Sequence, residues 1–322
     1  MEPLDQLPRV APQECEAAAE VARRVAANVA RAVQVRDETL QHVLIALIAE
    51  GHVLVEDNPG VGKTALARSV ARSIDCGFSR IQCTADLLPA DVVGTNVFNQ
   101  REQRFEFRPG PVFANLVLVD EINRASPKTQ SGLLECMQER CVTVDVHTHE
   151  LARPFLVLAT QNPVEYEGTY PLPEAQVDRF MIRVSLGYPS SAAESEMLAE
   201  HAAGDRVLGL EPVATSAQVV AAQDAATRVR ASRALREYVV ALLRHTREDA
   251  RVELGASPRA GLMLLRAAKA RAMLQGRDHA LPDDVQALAQ PVLAHRIALA
   301  PEAAATLPAT VVRDAIHAVP AL

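Results

Sequence analysis

The chain contains no tryptophan, and all its aromatic residues together make up only 3% of it. A core of large flat rings is therefore excluded. With hydrophobic residues at 49%, the interior must be built from alanine, valine and leucine, which suits close-packed helices and a parallel sheet. Long apolar runs are missing too. None approaches the roughly 18 residues a membrane span requires, and the run at 43–49 is broken by Glu50. The first 12 residues are acidic and proline-rich rather than basic and then apolar, so no signal segment is expected and the expected compartment is the cytoplasm.

Metal-type cysteine spacing is absent. The five cysteines, at 15, 76, 83, 136 and 141, form no Cys-x-x-Cys pair, a usage that suits a reducing compartment. His147 and His149 form a potential chelating pair, but no cysteine or carboxylate cluster accompanies them, and a hairpin tip is the simpler reading. Nor is positive charge in excess. The 33 Lys and Arg against 40 Asp and Glu leave a net charge of −7, whereas a large nucleic-acid footprint needs clustered cations. Nucleic acid is therefore not an expected partner, although a local basic pore in a ring stays compatible with this balance.

What is present is a change of period along the chain. Its 322 residues are enough for two domains. Val21, Val25, Val29 and Val33 lie four apart in a predicted helix over 14–33, and Leu40, Val43, Leu44, Leu47 and Ile48 mark a second helix. Short apolar runs then follow at 52–55, 80–83, 116–119, 155–159 and 181–185, most of them separated by helical stretches. That alternation predicts an α/β fold with a parallel five-stranded sheet. Two hairpins are expected as insertions, at 97–107 and 141–153. Beyond Tyr188-Pro189-Ser190 strand patterns vanish, and helices rich in Ala, Leu and Arg are expected, for example over 235–247 and 258–274. The expected division is an α/β core with N-terminal helices over 1–188 and an all-α lid over 189–322.

The strand at 52–55 runs into Asn58-Pro59-Gly60-Val61-Gly62-Lys63-Thr64-Ala65 and then a helix, the context in which a glycine-rich loop cradles phosphate. Pro59 presets φ for a type II turn and Gly60 supplies the positive φ. Gly62 lets backbone N–H groups approach an anion at a helix N-terminus. Lys63 is expected to reach the β- and γ-phosphates of ATP, and the Thr64 hydroxyl to ligate Mg²⁺. Asp57 stands where the strict pattern has glycine. A carboxylate facing ATP would repel it, so Asp57 is expected to point away and bond neighbouring backbone N–H groups. The strand at 116–119 ends in Asp120-Glu121, acids at the C-terminal edge of a buried parallel strand, where doubly wound sheets bind ligands. Asp120 is expected to hold Mg²⁺ and Glu121 to polarise the attacking water; the alternative for an isolated Asp-Glu pair is a solvated acidic turn.

From Asp120-Glu121-Ile122-Asn123-Arg124-Ala125-Ser126-Pro127 through Met137-Gln138-Glu139 the chain closely resembles the MoxR family of AAA+ ATPases. So do Ala159-Thr160-Gln161-Asn162-Pro163, Glu174-Ala175-Gln176-Val177-Asp178-Arg179-Phe180 and Gly255-Ala256-Ser257-Pro258-Arg259-Ala260. The resemblance spans most of residues 35–300. It implies a hexameric ring, an α/β core and a helical lid. It also implies Asn162 as the polar sensor after the fourth strand, Arg179 as the arginine finger that reaches the next subunit's ATP, and Arg259 as the lid arginine that bridges to the phosphates. A von Willebrand A-domain protein is the partner type it implies. The residues agree for Arg259: Ser257 suits an N-cap and Pro258 the first helical position. Each arginine has the alternative of a surface ion pair. Gln82 and Thr84, near the end of the second strand, are candidates to restrain Glu121.

Three functions are compatible with this set: an ATP-driven remodelling chaperone, a nucleotide-gated binding switch with little turnover, and a DNA motor. The complete set of Lys63, Thr64, Asp120, Glu121, Asn162, Arg179 and Arg259 favours turnover. The acidic balance and the lack of a helix-turn-helix tail disfavour the motor, and no Gly-Ala-Phe-Thr-Gly-Ala loop is present. Remodelling would include metal or cofactor insertion into a partner.

Overall fold

The computed structural model of the chain describes residues 9–58, 60–162, 169–188, 191, 194, 206–303 and 305–321. Its centre is a five-stranded sheet of β1 (Val53–Glu56), β2 (Phe78–Gln82), β5 (Leu116–Asp120), β8 (Leu156–Gln161) and β9 (Ile182–Val184), in the order β2-β5-β8-β1-β9. Every pairing is parallel. Period-2 alternation divides the apolar runs between two cores. Val53, Val55, Leu116, Leu118, Leu156, Leu158 and Ile182 face one. Leu54, Val117, Val119, Val157 and Ala159 face the other. A strand covered on both faces needs no polar side, which is why β5 reads as unbroken Leu-Val-Leu-Val.

The first core is roofed by α1 (Pro12–Ala30), α2 (Asp37–Ile48) and α3 (Lys63–Ser73), with Leu66, Ala67, Val70, Ala71 and Ile74 of the α3 region fully buried. It continues without a break into the helices of the C-terminal part: α7 (Ser216–Arg228), α8 (Arg233–Glu248), α9 (Pro258–Leu274), α10 (Pro282–Leu293) and α11 (Pro308–Ala318). Helix α1 packs on α3 and also on α7 and α9. The second core lies under α5 (Pro127–Glu139), which Ser126 caps through the Thr129 N–H with Pro127 in the first turn. Short helices α4 (Pro89–Val93) and α6 (Glu174–Val177) complete the described set.

The C-terminal part is not purely helical. Strands β10 (Val252–Leu254) and β11 (Ala298–Leu299) pair antiparallel. Both are too short for a periodic pattern to register in the sequence. The expected division after 188 falls at residues 189 and 190, which lie outside the described residues.

Both expected hairpins form, as β3 (Gly94–Asn99) with β4 (Arg104–Pro109) and as β6 (Cys141–Val144) with β7 (His147–Glu150). They are joined to each other. Asn96 Nδ2 donates to Asp145 Oδ2 at 2.7 Å, and the Phe107 ring stacks on His149 with centroids 4.0 Å apart. Phe107 also meets Phe113 edge-on, whereas Phe98 and Phe105 form an edge-to-face pair that is 49% and 70% exposed.

His52, just before β1, ties three elements together. Its Nδ1 accepts the Val157 N–H at 3.0 Å, so Nε2 carries the proton and donates to the Met137 carbonyl at 2.9 Å. Burial pushes its pKa down from 6.5 to about 4. A folded-state pKa below the unfolded one means that this stabilisation is intact above pH 6.5 and is lost as pH falls toward 4. Urea unfolding of the wild type and of His52→Gln should show the gap between them narrowing by about 2 kcal/mol from neutral pH to about pH 5. A constant gap would mean that the imidazole is not held neutral.

Candidate functional site

The loop after β1 enters α3 through two glycines in the left-handed region, Gly60 at φ 85° and Gly62 at φ 89°. A Cβ added to either would meet nothing within 4 Å. The glycines thus serve the backbone conformation and leave the concave side of the loop clear. Gly62 is the N-cap of α3, and Lys63, Thr64 and Ala65 form the first turn, beside Val61. The Lys63 ammonium donates to the Asp57 carbonyl at 3.0 Å. Burial pushes its pKa down, against the opposing charges of Asp57, Asp120 and Glu121. Those three carboxylates therefore share the neighbourhood of one lysine. Pro59 lies outside the described residues.

The Asp57 carboxylate points away from the loop, but not onto neighbouring N–H groups as expected. It accepts from the backbone N–H of Leu186 and Gly187 and from the Ser185 hydroxyl, at 2.5, 3.2 and 2.8 Å. Asn58 joins the same segment by donating to the Tyr188 hydroxyl at 3.1 Å. The base of the loop is thus fastened to the chain leaving β9. The physical reason is topological: β9 pairs with β1 in parallel, so both strands release their chains at the same edge.

Asp120 ends β5 at that edge and is 7% exposed. Its Oδ2 takes a bond of 2.6 Å from Arg80 Nε, and its Oδ1 accepts from the Thr160 hydroxyl at 3.2 Å. Thr160 in turn accepts the Glu121 N–H at 2.9 Å, so one hydroxyl fixes both acids. Glu121 sits in the left-handed region at φ 55°, and Arg124 Nε lies 3.0 Å from its Oε2. Neither Gln82 nor Thr84 takes the restraining role considered for them. Gln82 accepts a bond from Arg80, and Arg124, three residues on, is the ion-pair partner of Glu121. Asn162 follows β8 directly; its neighbour Gln161 accepts the Asp57 N–H. Lys63, Thr64, Asp120, Glu121 and Asn162 thus gather at the C-terminal edge of one sheet. The sequence gives no role to Arg80, Arg124 or Thr160, although Arg124 and Thr160 stand within the quoted family motifs.

Arg179 and Arg259 lie elsewhere. Both line a cavity of about 220 Å³ together with Glu50, Gly51, His52, Arg140 and Arg266. Gly51 and His52 precede β1, so this cavity is at the N-terminal edge of the sheet. The length of β1, about 13 Å at 3.3 Å per residue, separates it from the phosphate loop. Ser257 caps α9 through the Ala260 N–H, as expected. The start of α9, which carries Arg259, is held against Asp178, which the Ser257 hydroxyl approaches at 3.4 Å. Glu50 is the one acid in the cavity wall, with Arg140 and Arg153 at 2.6 and 3.0 Å. The Nε of Arg179 is buried with no hydrogen-bond partner among the described residues. The cavity therefore carries an excess of guanidinium and an unspent donor.

Comparison with known proteins agrees with this arrangement. Residues 52–182 match the ATPase family associated with various cellular activities (AAA), and residues 244–315 match the AAA lid domain. An uncharacterised Bacillus subtilis protein, YeaC, is 52% identical over 81% of each chain. The Mycobacterium tuberculosis protein Chaperone MoxR1 is 41% identical over 86% of this chain and 76% of its own. Protein MoxR of Methylorubrum extorquens is 34% identical over 88% and 89%. A crystal structure described as that of a proposed ATPase from Cytophaga hutchinsonii is similar at a TM-score of 0.89, with 37% identity over 96% of this chain and 97% of that one.

Replacing Asp57 by glycine would restore the strict glycine pattern, yet it strands the N–H groups of Leu186 and Gly187. Asp57→Gly should lower stability by about 2 kcal/mol. Urea unfolding measures this, and an unchanged midpoint would show that the three bonds contribute nothing.

Proposed function

The chain belongs to the MoxR family of AAA+ ATPases, and from that premise we propose that it hydrolyses ATP with Mg²⁺ in a hexameric ring, and uses the cycle to remodel or mature a partner protein. The observation that carries this reading is the convergence of Lys63, Asp120 and Glu121 at one sheet edge. In it, the N–H groups of residues 60–65 and the Lys63 ammonium bind the phosphates. Thr64 and Asp120 are the residues that would hold the metal, and a carboxylate that already carries a guanidinium at 2.6 Å fits a cation. When bound, Mg²⁺ supplies charge neutralisation at the β- and γ-oxygens. Glu121 orients and polarises the attacking water, and Asn162 senses the γ-phosphate.

Arg179 and Arg259 complete the site of the next subunit. Their shared place at the opposite edge from the glycine-rich loop supports action in trans for both. Residues 1–188 serve as the nucleotide-binding core and 189–322 as the lid. The partner is a protein carrying a von Willebrand A domain, met in the cytoplasm; the exposed Phe98–Phe105 pair supports a protein contact, since exposed aromatics anchor interfaces. A second reading, a nucleotide-gated switch with little turnover, is favoured by the ion pairs on Asp120 and Glu121, which a partner would have to loosen. Steady-state ATPase assays with and without partner separate the two.

Lys63→Ala should abolish tight binding of a fluorescent ATP analogue, and Glu121→Gln should bind it without turnover. Arg179→Ala and Arg259→Ala should keep nucleotide affinity while losing turnover, by about 10³-fold for Arg179. Mixing either with Lys63→Ala should restore part of the activity; no rescue at any ratio would place the arginine in cis. Material retained by the Glu121→Gln variant, compared with Lys63→Ala by mass spectrometry, should contain an A-domain protein. Recovery of nucleic acid instead would defeat the partner assignment.

A further inference from the structure

The segment 178–181, which carries Arg179, lies between α6 and β9 and belongs to no helix or strand. Backbone bonds hold its N–H groups, those of Asp178, Arg179 and Phe180 to the carbonyls of Glu174, Gln176 and Val177, and that of Met181 to His52. Its carbonyls are held chiefly by one side chain. Arg296, in the single helical turn Ala294–Arg296 after α10, has a side chain only 2% exposed. Its Nε donates to Asp178 Oδ1 at 2.8 Å. Its Nη2 donates to the carbonyls of Asp178 and Phe180 at 3.1 and 2.5 Å, and its Nη1 to that of Met181 at 3.3 Å. Two further bonds go elsewhere, from Nη1 to the Val292 carbonyl of α10 and from Nη2 to Met263 Sδ of α9. His295 adds an Nε2–H bond to the Phe180 carbonyl at 3.1 Å. The guanidinium thus fixes the residue before Arg179 and the two after it, while making no bond to Arg179 itself.

We propose that Arg296 is the positioning residue for Arg179, so that the reach of Arg179 into the neighbouring subunit's site is set by the C-terminal helical part of its own chain. The proposal rests on the trans role assigned to Arg179 above. A buried ion pair is a poor source of stability, since apolar groups of equal volume generally serve as well. What an arginine adds is a planar fork of five donors, here spent on three carbonyls of one irregular segment. Lysine retains the charge toward Asp178 but cannot satisfy the carbonyls of Asp178, Phe180 and Met181 together. Displacing a finger by about 1 Å is enough to cost on the order of 100-fold in rate.

The test compares Arg296→Met and the milder Arg296→Lys with Arg179→Ala in the full chain, all checked by urea unfolding. Arg296→Met should bind the fluorescent ATP analogue within about twofold of wild type and lose about 10- to 100-fold in turnover, with Arg296→Lys between. The Arg179→Ala/Arg296→Met double variant should be no slower than Arg179→Ala within about twofold, because both changes remove one function. Mixing Arg296→Met with Lys63→Ala should restore turnover, whereas mixing it with Arg179→Ala should not. Wild-type turnover in Arg296→Met beside a defective Arg179→Ala overturns the proposal alone, and so does a multiplicative double variant. Wild-type turnover in Arg179→Ala overturns the underlying assignment of the finger as well. If Arg296→Met fails to fold, Arg296→Lys is carried through the same mixtures, and rescue by Arg179→Ala would sink the idea there too.

Discussion

All five strands of the central sheet point the same way, and this polarity decides where chemistry is available. Side chains along the strands are consumed by the two cores, leaving only the two edges for polar work. At the C-terminal edge the loops after β1, β5 and β8 bring a lysine, two acids and an amide into one neighbourhood. At the N-terminal edge the end of α5, the chain entering β9 and helix α9 bring four arginines to a cavity that Glu50 also lines. The molecule therefore has one edge that gathers a lysine with two acids and an opposite edge lined with cations. A single copy cannot join the two, because β1 lies between them; stacked head to tail, copies can.

Arginine is the common counterpart of the acids. Asp120, Glu121, Glu50 and Asp178 are each paired with a guanidinium. The pairs differ in burial and hence in meaning. Arg80 is half exposed against an almost buried Asp120, a contact that water and competing cations can reach, whereas Arg296 is enclosed and cannot exchange partners without moving the backbone around it. Exposed pairs of this sort contribute little to stability, so the ones at the phosphate edge are available for rearrangement, and the enclosed one specifies shape.

Much of this was legible in the residues. Period-2 and 3.6-residue patterns located the strands, the two hairpins and α8 and α9, since these patterns record local geometry directly. Asn58 to Ala65 announced a strand–loop–helix turn with two positive-φ glycines. What stayed hidden was long-range. That Asp57 faces away followed from electrostatics, but its partners at 185–187 follow from the adjacency of β1 and β9, which spacing does not encode. The cap motif placed Arg259 at its helix start, but such a motif says nothing about which sheet edge the helix meets. Arg296 carries no motif of its own, and Thr160, though within one, matters through bonds to residues distant in sequence. Strands β10 and β11 were too short to give a period.

The two hairpins, finally, are not independent arms. The Asn96–Asp145 bond and the Phe107–His149 stack fasten them side by side, and Phe113, next to the start of β5, meets both rings of that stack. Mechanically this is one stiff paddle rather than two flexible whiskers. Its six-residue blade, β3 with β4, extends about 20 Å at 3.3 Å per residue. The Phe98–Phe105 tip is thereby joined through β4 to Phe113, three residues from the strand that ends in Asp120.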